Sequence, residues 1–322
     1  MRLRLVPEQT TFDFFRYRKV TSAISIVAVV LSLVAWLVMG LNFGIDFSGG
    51  TTIRTESPNA VDVGAYRAAL DPLGLGDLRI SEVFDPTFGE TRNVAMVRLA
   101  AQDGQESVTG DTIAAVAAAL QGLDPQVVLA SVESVGPKVS GELVRTAFIA
   151  VTVALGLIMI YIWLRFEWQF AVGAVAALFH DVILAIGIFS VLQIRFDLAT
   201  IAALLTIIGY SINDTVVIFD RLRENLRKFK TMPLIDVMNL SVNETLSRTL
   251  MTSGTTLLAL IALLLLGGDV IRGFVFAITF GIVVGTYSSL YVAKNIVLQL
   301  GVKRDWSKTG GEPGTQFGED PA

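Results

Sequence analysis

"YSINDTVVIFDRLREN" (Tyr210–Asn225) begins inside an apolar run, Leu198–Phe219, and puts a carboxylate, Asp214, where a membrane-spanning helix ordinarily carries none. A charge at bilayer depth costs about 2.5 to 3.5 kcal/mol on insertion scales, so ionisable residues there face the protein interior, find partners and carry function. Thr206, Tyr210, Asn213 and Asp214 recur at intervals of three and four, which gives the helix one polar face. The whole chain agrees with a membrane setting. With 53% hydrophobic residues, 17% charged and a mean hydropathy of +0.63, it is too apolar for a soluble globule of its size.

Runs of about 18 or more apolar residues are long enough to cross roughly 30 Å of hydrocarbon at 1.5 Å per residue. Six occur, near Val20–Leu41, Thr146–Leu164, Phe170–Ile194, Leu198–Phe219, Thr249–Leu266 and Phe274–Leu300. The first is too long for a signal-peptide core and lacks a good small-residue cleavage site, so it reads as a retained span. Lys and Arg mark the cytoplasmic side of short loops. They gather before the first span (Arg2, Arg4, Arg16, Arg18, Lys19), after the fourth (Arg221, Arg223, Arg227, Lys228, Lys230, Arg248) and in the tail (Lys303, Arg304, Lys308). The expected organisation is a cytoplasmic segment 1–19, a first span 20–41, an external domain 42–145, spans two to six within 146–300, and a cytoplasmic, disordered tail 301–322.

The external stretch has its own periodicity. "TTIRTE" and "LRISEVFD" read as strands around the amphipathic "VDVGAYRAALDPLG". "NVAMVRLA" is a third strand, "DTIAAVAAALQGL" a second helix with Asp111 as its N-cap, and "QVVLASVESVG" a fourth strand. The predicted order βαββαβ is the split βαβ, ferredoxin-like arrangement. It carries no nucleophile triad, phosphate loop or metal spacing, so mechanical or contact-making work is expected of it. With no cysteine and a single histidine, His180, neither thiol nor multi-histidine metal chemistry is available, and no cofactor is expected.

The candidate site residues lie inside the spans. Asp214 sits in the inner half of the fourth span, and His180 and Asp181 near the middle of the third. The fifth span begins with Arg248, Thr249, Thr252, Ser253, Thr255 and Thr256, an unusually hydroxyl-rich half. Antiparallel neighbours joined by a cytoplasmic loop bring Arg248 to about the depth of Asp214, which makes them the preferred ion pair. Gly281 and Gly285 in "GIVVG" suit close helix packing. The residues alone leave Asp214 open to two readings, a proton carrier or a static polar lock held by hydroxyls. His180 and Asp181 are likewise a polar relay with Thr252 and Thr256, or structural.

Several motifs in a fixed order resemble the SecF family, the smaller subunit of the bacterial SecDF protein-translocation accessory complex. They are "FGIDFSGGT" after the first span, "VGPKVSGELVRTA" into the second, "HDV" in the third, "YSINDTVVIFDRLREN" in the fourth and "LSRTLMTSGTTLLAL" in the fifth. Ser48 stands where such proteins commonly have threonine. The resemblance implies half of a resistance-nodulation-division transporter in the bacterial inner membrane. Its implied partners are SecD, the SecYEG translocon, translocating preproteins and a YajC-like subunit, with no nucleic acid. It implies that the proton-motive force drives late export steps, with Asp214, Arg248, Asn213 and Tyr210 on the proton path. The competing classes are a small-molecule or lipid exporter of the same superfamily and an intramembrane aspartyl protease. The protease would use Asp181 and Asp214, but neither aspartate stands in a GxGD signature.

Overall fold

The computed structural model describes residues 10–83, 92–100 and 108–302. Its elements begin with α1 (Arg18–Met39), β1 (Asn42–Phe43), α2 (Ile45–Ser48), β2 (Gly50–Ser57) and α3 (Val63–Leu70). Next come β3 (Leu78–Val83), β4 (Asn93–Leu99), α4 (Gly110–Leu123), β5 (Val128–Val135), α5 (Pro137–Arg165) and α6 (Trp168–Leu192). The chain continues through β6 (Arg195–Phe196), α7 (Leu198–Lys228), α8 (Leu234–Leu266), α9 (Asp269–Ser288), a π-helical turn at Ser289–Ala293 and α10 (Lys294–Leu300). Counting Asp269–Leu300 as one, six helices are long and apolar enough to cross a membrane. Arg2, Arg4 and the tail from Lys303 lie outside the described residues.

The helices outrun the apolar stretches. Pro137 opens α5 well before Thr146, with Gly136 as N-cap and proline at the position where its missing N–H is harmless. Leu234 opens α8 well before Thr249. Hydropathy marks only the length that meets hydrocarbon, whereas a helix continues into water until a capping or breaking residue ends it. Asp197 and Thr200 form a reciprocal capping box that fixes the start of α7.

Three helices make the interior. Half of the α6 span is buried, with α7 and α9 close behind, against 6% for α1 and 11% each for α5 and α8. α1 lies on α6, α5 lies on α6 and α7, and α8 closes the α7–α9 side. Small residues let these helices approach: a Cβ on Gly187 would meet the Ser32 backbone Cα at 2.7 Å, and one on Gly281 would overlap the Ile207 side chain. At one end of the bundle Lys294 is 1% exposed, its ammonium 4.2 Å from the Phe15 ring centroid, 4.6 Å from Phe14 and 5.1 Å from Tyr291. This cation–π contact fixes the segment before α1 against α10.

Between α1 and α5 stands an antiparallel sheet in the order β3-β4-β2-β5. α3 and α4 pack against each other, and Ile53, Tyr66, Leu70, Val97, Val116 and Leu120 share one core with the sheet. Asp62 caps α3 by accepting from the Gly64 and Ala65 amides. The cap of α4 is Thr109, which accepts from the Thr112 amide, while Asp111 stands in the first turn. That corrects the Asp111 expectation: Thr109 is the residue in extended conformation, as an N-cap requires.

The sheet is joined to the bundle by a ladder too short for periodicity to reveal. β1 and β6 pair in parallel, Asn42 with Arg195 and Phe43 with Phe196. Phe43, Phe47, Phe189 and Phe196 pack ring to ring around it at 5.9–6.0 Å. Gly49 (φ 69°) and Gly50 (φ 119°) then turn α2 into β2 through backbone conformations that other residues resist, which is the physical content of "FSGG".

Helix packing at Gly187 is testable. Gly187→Val should push α1 off α6 and destabilise the protein by about 1–3 kcal/mol, as overpacking does. Gly156→Ala, where a Cβ meets nothing within 4 Å, should not. Thermal unfolding of the two variants in detergent checks this, and equal midpoints would contradict it.

Candidate functional site

α6, α7 and α9 meet around Asp181, which is 1% exposed. One carboxylate oxygen accepts from the Ser211 hydroxyl of α7 at 2.6 Å and from the Ser288 hydroxyl of α9 at 2.8 Å. The other lies 2.9 Å from His180 Nδ1. In hydrocarbon no water is available, so a charge here must be satisfied by the protein, and three convergent donors do so. Gly285 makes room: a Cβ there would lie 3.0 Å from Ser211 Cβ and 3.5 Å from the carboxylate. The His180 ring lies 6.1 Å from the Tyr287 ring, and the Tyr287 hydroxyl reaches α1 through Ser25 (2.9 Å) and the Thr21 carbonyl (3.0 Å). His180 Nε2 is buried without a hydrogen-bond partner among the described residues.

Asp214 is equally enclosed, at 3% exposure, but far less well held. It accepts from the Ser253 hydroxyl of α8 at 3.4 Å, and Ser253 in turn shares a 2.8 Å hydrogen bond with Thr286 of α9. Thr249, one helical turn from Ser253, is buried, and its hydroxyl has no hydrogen-bond partner among the described residues. A third link joins Thr215 of α7 to Ser289 at 2.8 Å, where the π-helical turn begins.

The remaining predicted residues divide. The direct Asp214–Arg248 ion pair is not made: Arg248 is exposed, and no ion pair within 4.0 Å links the two among the described residues. Adjacent residues on a helix point about 100° apart, and α8 turns Thr249 and Ser253 inward, so Arg248 faces out. Asn213 and Thr206 are also exposed, so the polar face proposed for α7 is split between interior and periphery. The Tyr210 hydroxyl donates to Thr256 at 3.5 Å. Thr252 and Thr256 bond carbonyls of their own helix and stand apart from His180 and Asp181. Gly281 and Gly285 bring α9 against Ile207 and Ser211 of α7.

Sequence reasoning passed over Thr286–Ser289. These four consecutive hydroxyl-bearing residues reach α8, α1, α6 and α7 in turn. Four hydroxyls in a row in an apolar span, followed by a π-helical turn of the kind common at functional sites, were the available signal.

This arrangement defines a polytopic membrane protein with a satisfied carboxylate and a poorly satisfied one in its interior. Residues 115–303 match the family model described as "Protein export membrane protein SecD/SecF, C-terminal", and residues 34–57 match "SecD/SecF GG Motif". The chain is 65% identical over 316 residues to protein translocase subunit SecF of Cereibacter sphaeroides, covering 98% of each. It is 43% identical over 304 residues to that of Vibrio alginolyticus, covering 94% of each. It is also similar to the crystal structure of SecDF, a translocon-associated membrane protein, from Thermus thermophilus, with TM-score 0.82 and 37% identity. That match covers 92% of this chain and 39% of the solved one. The chain belongs to the SecD/SecF family of protein-export membrane proteins, on its SecF branch.

Asp181→Ala should destabilise the protein by about 1–3 kcal/mol, because it strands two serine hydroxyls and His180. Asp181→Asn should recover most of that loss, since an amide can accept from both serines and donate to the neutral imidazole. Thermal unfolding in detergent separates these outcomes, and an alanine variant as stable as the native protein would refute the anchoring role.

Proposed function

We propose that this chain is the SecF half of a two-part membrane machine in which Asp214 takes up and releases a proton, so that the proton-motive force drives late steps of preprotein export. The reading rests on the contrast between two enclosed carboxylates. Asp181 has three donors, whereas Asp214 has one at 3.4 Å. A carboxylate so weakly held at membrane depth has little to lose on protonation, and Ser253 and Thr286 offer hydroxyls through which a proton can pass to α9. His180 and Asp181 anchor the helices around it. Tyr210, with Thr252 and Thr256, lines the α7–α8 seam.

The other half is SecD. Thr206, Asn213 and Arg248 are exposed on helices that span the membrane, and Asn213 has no side-chain hydrogen bond among the described residues. Polar groups facing hydrocarbon are costly, so a second set of helices covering this face satisfies the constraint. The solved SecDF chain is long enough to hold one, since the present chain matches 39% of it. In such a complex Arg248 reaches the proton path from the seam rather than by a direct pair.

The βαββαβ unit is a ferredoxin-like domain on the periplasmic side of the bacterial inner membrane, and both termini are cytoplasmic. Its sheet order is that of a split βαβ pair, and the cationic loops supply the orientation. There it meets preproteins leaving the SecYEG translocon, with a YajC-like subunit alongside. The work is that of an accessory transport subunit rather than an enzyme.

Asp214→Asn should preserve assembly with SecD yet stop gradient-driven release of a secreted protein from spheroplasts, because asparagine keeps the size of aspartate and loses its titratable proton. Full activity at equal abundance would leave Asp214 as a polar lock. Reporter fusions should in addition place Gly74 outside and Lys230 inside, and a cytoplasmic signal at Gly74 would reverse the topology.

A further inference from the structure

Where the sheet meets the bundle, a cavity of about 320 Å³ is lined by Arg67, Arg79, Arg98, Asn42, Ser81 and Met96, and among the described residues no carboxylate lines it. Arg79 and Arg98 are directly opposed across β3 and β4. Like charges in that position repel. Arg195, paired through its backbone with Asn42, adds a third guanidinium close enough to act on Arg98. Burial, then Arg195 and Arg79, pull the Arg98 pKa below its ordinary value, with Asp197 opposing them.

The guanidiniums are aimed by neutral acceptors. Arg98 donates to the Phe43 carbonyl at 3.0 Å and to Asn42 Oδ1 at 3.4 Å, Arg79 to the same Asn42 oxygen at 3.4 Å, and Arg67 to the Leu78 carbonyl at 3.2 Å. Carboxylates stand only at the margin, Asp77 at 3.8 Å from Arg79 and Asp197 at 3.6 Å from Arg195. Arg98 Nε is buried with no partner among the described residues. Oriented, incompletely neutralised guanidiniums are the usual receptor for a phosphate oxygen.

Position identifies the source of that phosphate. Asn42 follows directly on the end of α1, whose last residues Leu37, Val38 and Met39 are exposed, as is Phe43. The cavity therefore stands at the level of the headgroups, beside an apolar wall for acyl chains. We infer that the Arg79–Arg98–Asn42 cavity binds the phosphodiester of an anionic phospholipid headgroup, which fastens the sheet to the β1–β6 joint of the bundle. The lipid supplies the charge that the opposed arginines lack, and both the sheet (Arg79, Arg98) and the bundle (Asn42) hold it. Nothing in this depends on which side of the membrane the sheet faces or on the proton path.

The test uses the full-length, delipidated protein in a nonionic detergent, with dioctanoylphosphatidylglycerol as probe and the thermal unfolding midpoint as readout. A saturable rise is expected, matched neither by dioctanoylglycerol nor by inorganic phosphate at the same concentration. Arg98→Gln should weaken the apparent affinity about tenfold or more, the effect of losing one charge-assisted hydrogen bond. Because Arg98 also holds the Phe43 carbonyl, Arg79→Gln, on an exposed side chain, provides the variant that keeps the fold. It should weaken binding similarly. An equal response to dioctanoylglycerol would reduce the site to an apolar groove, and an equal response to phosphate would make it a free-anion site. A rise with an acidic peptide but none with the lipid would assign it to a protein partner. Any of these, or an unaltered lipid response in Arg79→Gln, overturns the inference.

Discussion

The constraint on which the structure turns is the absence of water at the depth of Asp181. A carboxylate there tolerates no gap in its hydrogen bonding, and Ser211, Ser288 and His180 satisfy it from α7, α9 and α6. Those same three helices are the buried core of the bundle. The packing follows from the requirement: α9 approaches closely enough for Ser288 to donate only because Gly281 and Gly285 carry no side chain. An apolar core of the same shape would allow helices to slide or rotate at little cost, since lipid and leucine solvate one another equally well. The polar anchor fixes their rotation.

A fixed interior makes the periphery meaningful. With α7 anchored at Ser211, Thr206 and Asn213 lie exposed on its outer side, as Arg248 does on α8. The joint at the far end obeys a related rule. β1 and β6 each have two residues, too few to hold a domain by ladder bonds alone, so aromatic packing and the Arg98–Phe43 hydrogen bond carry the connection.

Much of this was legible in the sequence because lipid acts as a uniform solvent. Apolar length locates a span whatever its neighbours are, and period-two and period-3.6 patterns located β2 to β5, α3 and α4. What escaped was whatever depends on rotation or on a distant segment. Arg248 and Asp214 are expected at about one depth, yet depth does not decide which way a side chain points. Thr286–Ser289 escaped because a hydroxyl in a span can always bond a carbonyl of its own helix, as Thr206, Thr252 and Thr279 do here. Only the tertiary structure tells which hydroxyls reach across. Lys294 escaped for the same reason, since its aromatic partners lie some 280 positions away at Phe14 and Phe15.

The two enclosed carboxylates are unequally held. Deep protonation is easiest where the charged form is least rewarded, and each good hydrogen bond to a carboxylate rewards the charged form. Asp181 has partners at 2.6, 2.8 and 2.9 Å, whereas Asp214 has a single donor at 3.4 Å among the described residues. Ser253, which donates to Asp214, shares its hydroxyl with Thr286, so this contact joins α7, α8 and α9. The same α9 segment continues into the π-helical turn at Ser289–Ala293, where an extra backbone residue per turn makes the helix easiest to re-register. The contact of Asp181 with Ser288 and the chain from Asp214 through Ser253 to Thr286 thus reach α9 two residues apart, and together they tie α6, α7 and α8 to one short polar segment of that helix.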